Sequence, residues 1–258
     1  MQAAECNTRG TIERMVRAKP SRPASKGLVP NGTASEKRGG QQESAYALLK
    51  EMIILQDLPA GTLVSELSLS KQLGLGRSPI RWAFQRLATE GLVSILPQRG
   101  VMVTDINVDQ QLKLLEVRAE LERLMVVGAA RRATQAQRQR MRSLAKSFEA
   151  LARSGDGKAF MAMLKEIHDL TAEAADNEIL DNVIGQVQGL SRRFWYTHYE
   201  RHGDLKLAAK LHAERLRRIA AGDAPGAAAA SDALVDYLER FTRSTLAYGA
   251  GALSAAGP

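Results

Sequence analysis

The sequence predicts a mainly α chain in two parts: an N-terminal unit of three helices and a β-hairpin, then an all-α antiparallel helical bundle. Three observations predict it. Apolar residues recur at helical spacing from Ser44 to about Glu90, and again from Asp109 to Tyr248. Between these stretches lie two short apolar, β-branched runs joined by a Pro/Gly turn, Leu92–Leu96 and Val101–Thr104, which read as a hairpin. The composition is 45% hydrophobic but only 5% aromatic, so the core has to be aliphatic, built from residues that favour helix.

Residues 1–42 mix Pro, Gly, Ser, Thr and Lys without apolar periodicity and read as a disordered basic tail. Either a dispensable leader or an arm that adds non-specific phosphate affinity accounts for them. The formal net charge is +8, and this tail carries eight basic against three acidic residues. Global charge therefore reports mainly the tail. The single cysteine, Cys6, lies there too, which excludes a disulfide or a thiolate metal site within one chain. With no apolar run near the roughly 18 residues of a membrane span, and no signal-peptide apolar region, a soluble cytoplasmic protein is expected.

A domain over 43–104 follows. Tyr46, Leu48, Leu49, Met52, Ile53 and Leu55 share one broad helical face, which Pro59, Ala60 and Gly61 break. Ser65 caps a second helix, Glu66–Leu73, and Gly74 stops it. Ser78 followed by Pro79 reads as an N-cap and a first helical position, starting a third helix that Gly91 ends. Helix, helix, turn, helix and hairpin within about sixty residues match the winged helix-turn-helix. From 105 to 248 the chain reads as six or seven helices, a bundle suited to sensing and dimerisation, with a flexible Gly/Ala-rich tail at 249–258.

Candidate DNA contacts cluster on the third helix and the hairpin. Arg77 and Arg81 are four residues apart at its start, where arginine can fork to guanine or pin a phosphate. Ser78 and the free first-turn N–H groups add phosphate donors. Arg99 and Gly100 form the hairpin tip. Between Arg77 and Thr104 the only acid is Glu90. A solvated basic face is the alternative for arginines alone; their placement on a helix-turn-helix with a wing favours DNA.

These residues carry a resemblance. The run "LPAGTLVSELSLSKQLGLGRSPIRWAFQRLATEGLVSILPQRGVMVT" resembles the DNA-binding domain of GntR-type transcription regulators. Glu66, Leu69, Leu73, Gly74, Arg77, Pro79, Arg81, Leu87, Glu90, Gly91, Pro97, Arg99 and Gly100 fall in register with that family. "LKLLEVRAELERLMVVGAARRAT", "AADNEIL" and "LHAERLRRIAAGD" resemble the helical effector (FCD-type) domain of the FadR-like branch. The resemblance spans about 43–245. It implies a homodimer, an inverted-repeat operator on double-stranded DNA, and release or retuning by a small carboxylate-type effector, with Arg77, Arg81 and the Arg99–Gly100 tip on DNA. Two positions depart from the pattern. Gly76 stands where Ser or Thr is usual, and Trp82 replaces a usual Glu; the indole either packs against the effector domain or changes which bases are tolerated.

Many relatives hold a divalent metal with one Asp and three His. His168 and His212 match two of these positions, but Leu164 stands where the Asp would be, and the last His falls on Tyr237 or Leu234. Two imidazoles are a poor site, since such metals take at least three protein ligands; His198 or Asp236 would have to repair it. No cofactor is required otherwise. The effector pocket is expected around His168, His212, Trp195, His198 and Tyr237. In "LSRRFWYTHYERHG" the aromatic cluster is either a pocket wall or core and interface filling. Arg118 and Glu122, four apart, read as an intrahelical pair.

A ligand-responsive regulator, in the sense of a repressor, is thus expected, and not an enzyme: there is no phosphate loop, nucleophile elbow, HExxH or di-metal carboxylate pattern. The alternative is an architectural, ligand-independent DNA-binding dimer with a degenerate sensor pocket.

Overall fold

The structure, a computed structural model, describes residues 34–254 apart from residue 106; most of the expected basic tail, with Cys6, lies outside the described residues, as do residues 255–258. The chain divides into two compact units, one ending at Thr104 and the other starting at Asp105.

In the first unit α1 (Ala34–Ile54) begins inside the segment expected to be tail. Ala45, Leu49, Met52 and Ile53 are its buried side. A two-residue strand, β1 (Leu63–Val64), leads into α2 (Glu66–Leu73). The Ser65 hydroxyl accepts from the Ser68 N–H at 3.0 Å, and Gly74 closes the helix in the left-handed region, φ 66°. α3 (Arg77–Thr89) starts one residue before Ser78: Gly76 is the N-cap and offers no side-chain cap. Ser78 and Pro79 are therefore first-turn residues, not cap and first position. Proline is tolerated there because first-turn N–H groups have no intrahelical acceptor anyway. Ile80, Ala83, Phe84 and Leu87 form the buried stripe of α3, which packs on α1 and α2.

β2 (Val93–Leu96) and β3 (Gly100–Val103) make the expected hairpin, paired Val93↔Val103 through Leu96↔Gly100. The sequence pattern missed the third strand. β1 pairs antiparallel with β3, Leu63↔Met102 and Val64↔Val101, because two residues are too few to show alternation. That pairing sets the demand at Gly100. Its φ is +109°, and a Cβ there would lie 2.6 Å from the Val64 carbonyl oxygen. Gly100→Ala should therefore destabilise this unit by about 1–3 kcal/mol, read as a lower thermal midpoint; an unchanged midpoint would mean that the wing does not need this backbone.

Among the described residues the second unit is six helices: α4 (Val108–Arg132), α5 (Gln135–Leu151), α6 (Gly157–Ala175), α7 (Glu178–His202), α8 (Leu205–Ala221) and α9 (Ala224–Ser254). α9 continues past Tyr248, where a flexible tail was expected. Polar side chains cap the starts of α4 to α8: Asn107, Thr134, Asp156, Asn177 and Asp204 each accept from a first-turn N–H. The first two complete capping boxes with Gln110 and Gln137. α4 is the central helix, packed by α6, α7, α8 and α9. Consequently the side chains of its inner face are buried whatever their polarity.

Candidate DNA-binding face and buried effector cavity

On α3, Arg77 and Ser78 are exposed, one turn away from the buried stripe. Arg81 is exposed as well. Its guanidinium is held by Glu66 of α2 through three contacts of 2.9 to 3.1 Å. Those hydrogen bonds and the carboxylate charge raise the Arg81 pKa further above its ordinary value. The arginine is thus presented at the front of α3 in a fixed orientation, yet in solvent, where exchanging a carboxylate for a phosphate or a base edge is cheap. Arg99 is exposed at the tip of the hairpin, while Gly100 beside it serves the sheet.

Arg86 behaves differently. It lies over the Tyr46 ring at 3.9 Å and pairs with Glu43 at 2.7 Å, tying α3 to α1. Trp82 joins the same cluster, edge-on to Tyr46 at 6.4 Å, so the unusual indole packs within its own unit. Glu90 is buried and accepts from the Tyr46 hydroxyl and from Lys50 at 2.8 Å.

In the second unit a buried polar cluster sits on the inner face of α4. Glu122 Oε1 accepts from Arg118 Nη2 at 3.0 Å and from Gln188 at 3.1 Å; Oε2 accepts from Arg215 of α8 at 2.5 Å. Arg118 also donates to Ser191 of α7 at 2.8 Å. All five residues are buried. Burial by itself would raise the Glu122 carboxyl, but the charges of Arg215 and Arg118 and the hydrogen bonds from Gln188 and Arg118 outweigh it, holding the pKa at about 2.

A small cavity of about 20 Å3 adjoins the cluster. Arg118, Ser191, Arg192, Trp195, His212 and Tyr237 line it, with Phe160 stacked on Trp195 at 5.3 Å. Of the five residues expected around an effector, Trp195, His212 and Tyr237 are therefore at the cavity. His168 is not in its lining but packs against His212, ring centres 5.9 Å apart. His198 instead packs against Phe194, with ring centres 4.6 Å apart and the rings tilted by 47°. The aromatic cluster divides likewise: Trp195 is wall, while Phe194 and Phe241 fill core. Arg215 and Gln188 were missed by sequence reasoning. The signal for Arg215 was there, three residues after His212 and on the same helical face, inside a basic run that reads as solvated.

His168 and His212 are both held neutral. Burial is the main cause and the nearby Arg215 charge the next, driving each pKa well below the ordinary histidine value. Both ring nitrogens of His168 lack a hydrogen-bond partner among the described residues, whereas Arg215 Nη2 lies 3.4 Å from His212 Nδ1. This donor set does not fit a divalent metal. Among the described residues no three His, Cys, Asp or Glu converge on one point. Leu164 and Leu234 are buried apolar residues, and Asp236 is exposed.

Comparison with known proteins agrees with this architecture. Residues 41–103 match the bacterial regulatory proteins of the gntR family, and residues 113–237 match the FCD domain. The chain is 30% identical over 139 residues to an HTH-type transcriptional regulator of Agrobacterium vitis from the TAR-I ttuE-ttuC' intergenic region, covering 54% of this chain and 75% of that one. It is 22% identical over 202 residues to the HTH-type transcriptional repressor RspR of Escherichia coli K12, covering 78% and 87%. Among solved structures E. coli McbR/YncC superposes with a TM-score of 0.72 at 18% identity, covering 80% of this chain and 98% of that one, which speaks for the fold alone. No described helix is long and apolar enough to cross a membrane. The chain belongs to the GntR family of bacterial transcription regulators, with an FCD effector domain, and is not an enzyme.

Proposed function

We propose that the chain represses transcription as a homodimer on an inverted-repeat operator, and that a small organic acid entering the α4–α8 cavity changes its hold on DNA. The observation that carries the DNA half is the pair Arg77 and Arg81. They stand exposed at the start of α3, Arg81 pre-oriented by Glu66, next to first-turn N–H groups free to meet phosphate. Arg99 at the wing tip would reach the adjacent backbone or groove. The relative named RspR, a repressor, supports the sign of regulation.

The partner surface proposed for the dimer is the outer face of α4. Val117 is 54% exposed and Leu124 56%, one heptad apart, flanked by Glu116 and Arg123 at the same spacing. Two copies crossing antiparallel about a two-fold axis would lay Val117 on Leu124 of the other copy, beside Arg123, which Asp232 of its own chain holds at 2.7 Å. For coupling, α7 offers Arg192 at the cavity and, next to it, buried Arg193, whose pKa burial lowers and the charge of Asp105, at the very start of this unit, partly restores.

Selection of sites from a random duplex pool, followed by footprinting, should return an inverted repeat with two chains bound per site. Affinity should fall roughly 10³-fold or more between 50 and 200 mM salt. Leu124→Glu should leave the bundle folded but shift sedimentation to the monomer and lower operator affinity. A wild-type monomer on an asymmetric site would overturn the reading. The small cavity volume favours one other reading, a ligand-independent DNA-binding dimer; it predicts operator affinity unchanged by every metabolite tried.

A further inference from the structure

We infer that the cavity is a metal-independent anion site, in which Arg118 and Arg215, locked by Glu122, supply the positive charge that a bound metal supplies in other members of the family. The inference rests on the regulator reading only in naming the ligand an effector. Its basis is charge and geometry. The buried cluster holds two guanidinium groups against one carboxylate, and Arg192 adds a third cation at the cavity wall. Arginine stays charged under any conditions the fold survives. The two histidines contribute no balancing negative charge, and each carries at most one lone pair toward a ligand. A divalent cation here would add to an existing excess of positive charge in a buried site. An anion would neutralise it.

The two imidazoles also find no third metal ligand among the described residues. A guanidinium nitrogen occupies the approach to His212 Nδ1 at 3.4 Å. The residue one turn before His168 is Leu164, which lines the cavity with its apolar side chain and offers no oxygen. His168, buried and without a hydrogen-bond partner on either ring nitrogen among the described residues, is a ready N–H donor to an acceptor entering beside His212. The anion it would meet is a carboxylate: compact, drawn by the charges of Arg118 and Arg192 at the wall, and able to take a hydrogen bond from the Ser191 hydroxyl. Phe160, Trp195 and Leu238 suit an apolar body behind it. At about 20 Å3 the cavity admits about one water, so a larger occupant has to part the Phe160–Trp195 stack, and indole fluorescence should report its entry.

The test uses the full chain as purified. Metal content is measured by elemental analysis before and after dialysis against EDTA. Thermal midpoint and Trp fluorescence are then followed with sodium acetate, hexanoate, benzoate and phenylacetate at up to 10 mM, each beside its amide, with EDTA or with zinc. Expected are less than about 0.1 equivalent of metal, a midpoint raised by at least one of the acids by about 2 °C or more and by none of the amides, and the same response in EDTA and in zinc. Arg118→Met should abolish the response. Should it not fold, Arg192→Met removes one cation from the cavity wall without touching the Glu122 pairs, and it should weaken the response to the acids. Near-stoichiometric metal whose removal lowers the midpoint, amides as effective as acids, or no response to any acid would each overturn the inference. Operator binding by the same sample, assayed in parallel, separates that failure from failure of the regulator reading.

Discussion

Arg81→Ala should lose sequence-specific retention of the selected operator, by about 10- to 100-fold or more, while the chain keeps its thermal midpoint. A forked arginine contact to a guanine discriminates by about 1–3 kcal/mol. The Glu66 pair it gives up in the fold lies in solvent and contributes little to stability. Arg81→Lys separates the two ways an arginine can act. If Arg81 reads a base, lysine keeps the charge but not the fork, so affinity for operator drops towards that for a scrambled duplex. If Arg81 only holds a phosphate, lysine is nearly silent. Fluorescence anisotropy on matched and scrambled duplexes reads both outcomes. An Arg81→Ala chain that footprints the original site would show that α3 is not the recognition helix. Arg86→Ala is the contrast, because Arg86 ties α3 to α1 across Tyr46 and should alter stability rather than base preference.

Glu122→Gln should destabilise the bundle by about 3–5 kcal/mol, since it leaves two buried guanidinium groups without their shared carboxylate. The same linkage fixes a direction with pH. The Glu122 carboxyl is held at about 2 in the fold, against 4.5 as its ordinary value. Its contribution of about 3 kcal/mol is therefore fully present above about pH 4.5 and is lost as pH falls through about 2. His168 and His212 act in the same direction from higher pH. Folded neutral, they bind fewer protons than the unfolded chain does below about pH 6.5, so stability already declines on acidification there. Urea midpoints between pH 7 and pH 3 should fall monotonically in the wild type, with the steepest loss below pH 4.5. The low-pH part should flatten in Glu122→Gln; an unchanged profile in that variant would remove Glu122 from the explanation.

The bundle also shows why a helical pattern underreports a buried site. On α4 the spacing of Arg118 and Glu122 says that they can meet, and they do, but spacing on one helix cannot say which face another helix covers. Arg215 comes from α8 and Gln188 from α7, 93 and 66 residues away from Glu122. A basic run such as that around Arg215 is read as solvent-facing by default, and only the packing of α8 on α4 turns one of its arginines inward. The cap at Ser78 failed for a local reason: Ser-Pro starts helices often, but a glycine N-cap two residues earlier extended this one. β1 failed because its pairing partner lies 37 to 39 residues away along the chain.

By itself the sequence determined what depends on local periodicity and local backbone chemistry. It set the helix-turn-helix with its hairpin, the stop at Gly74, the exposed arginines at the start of α3, and the replacement of the family's metal-binding carboxylate by Leu164. Only the tertiary structure decided which polar groups lose water. That choice made Arg118, Glu122 and Arg215 a single buried cluster, placed His212 and Trp195 at one cavity, and sent His198 against Phe194. Burial is a property of all the helices together. The charge balance at the centre of the bundle follows from their packing and could not be read from any one of them.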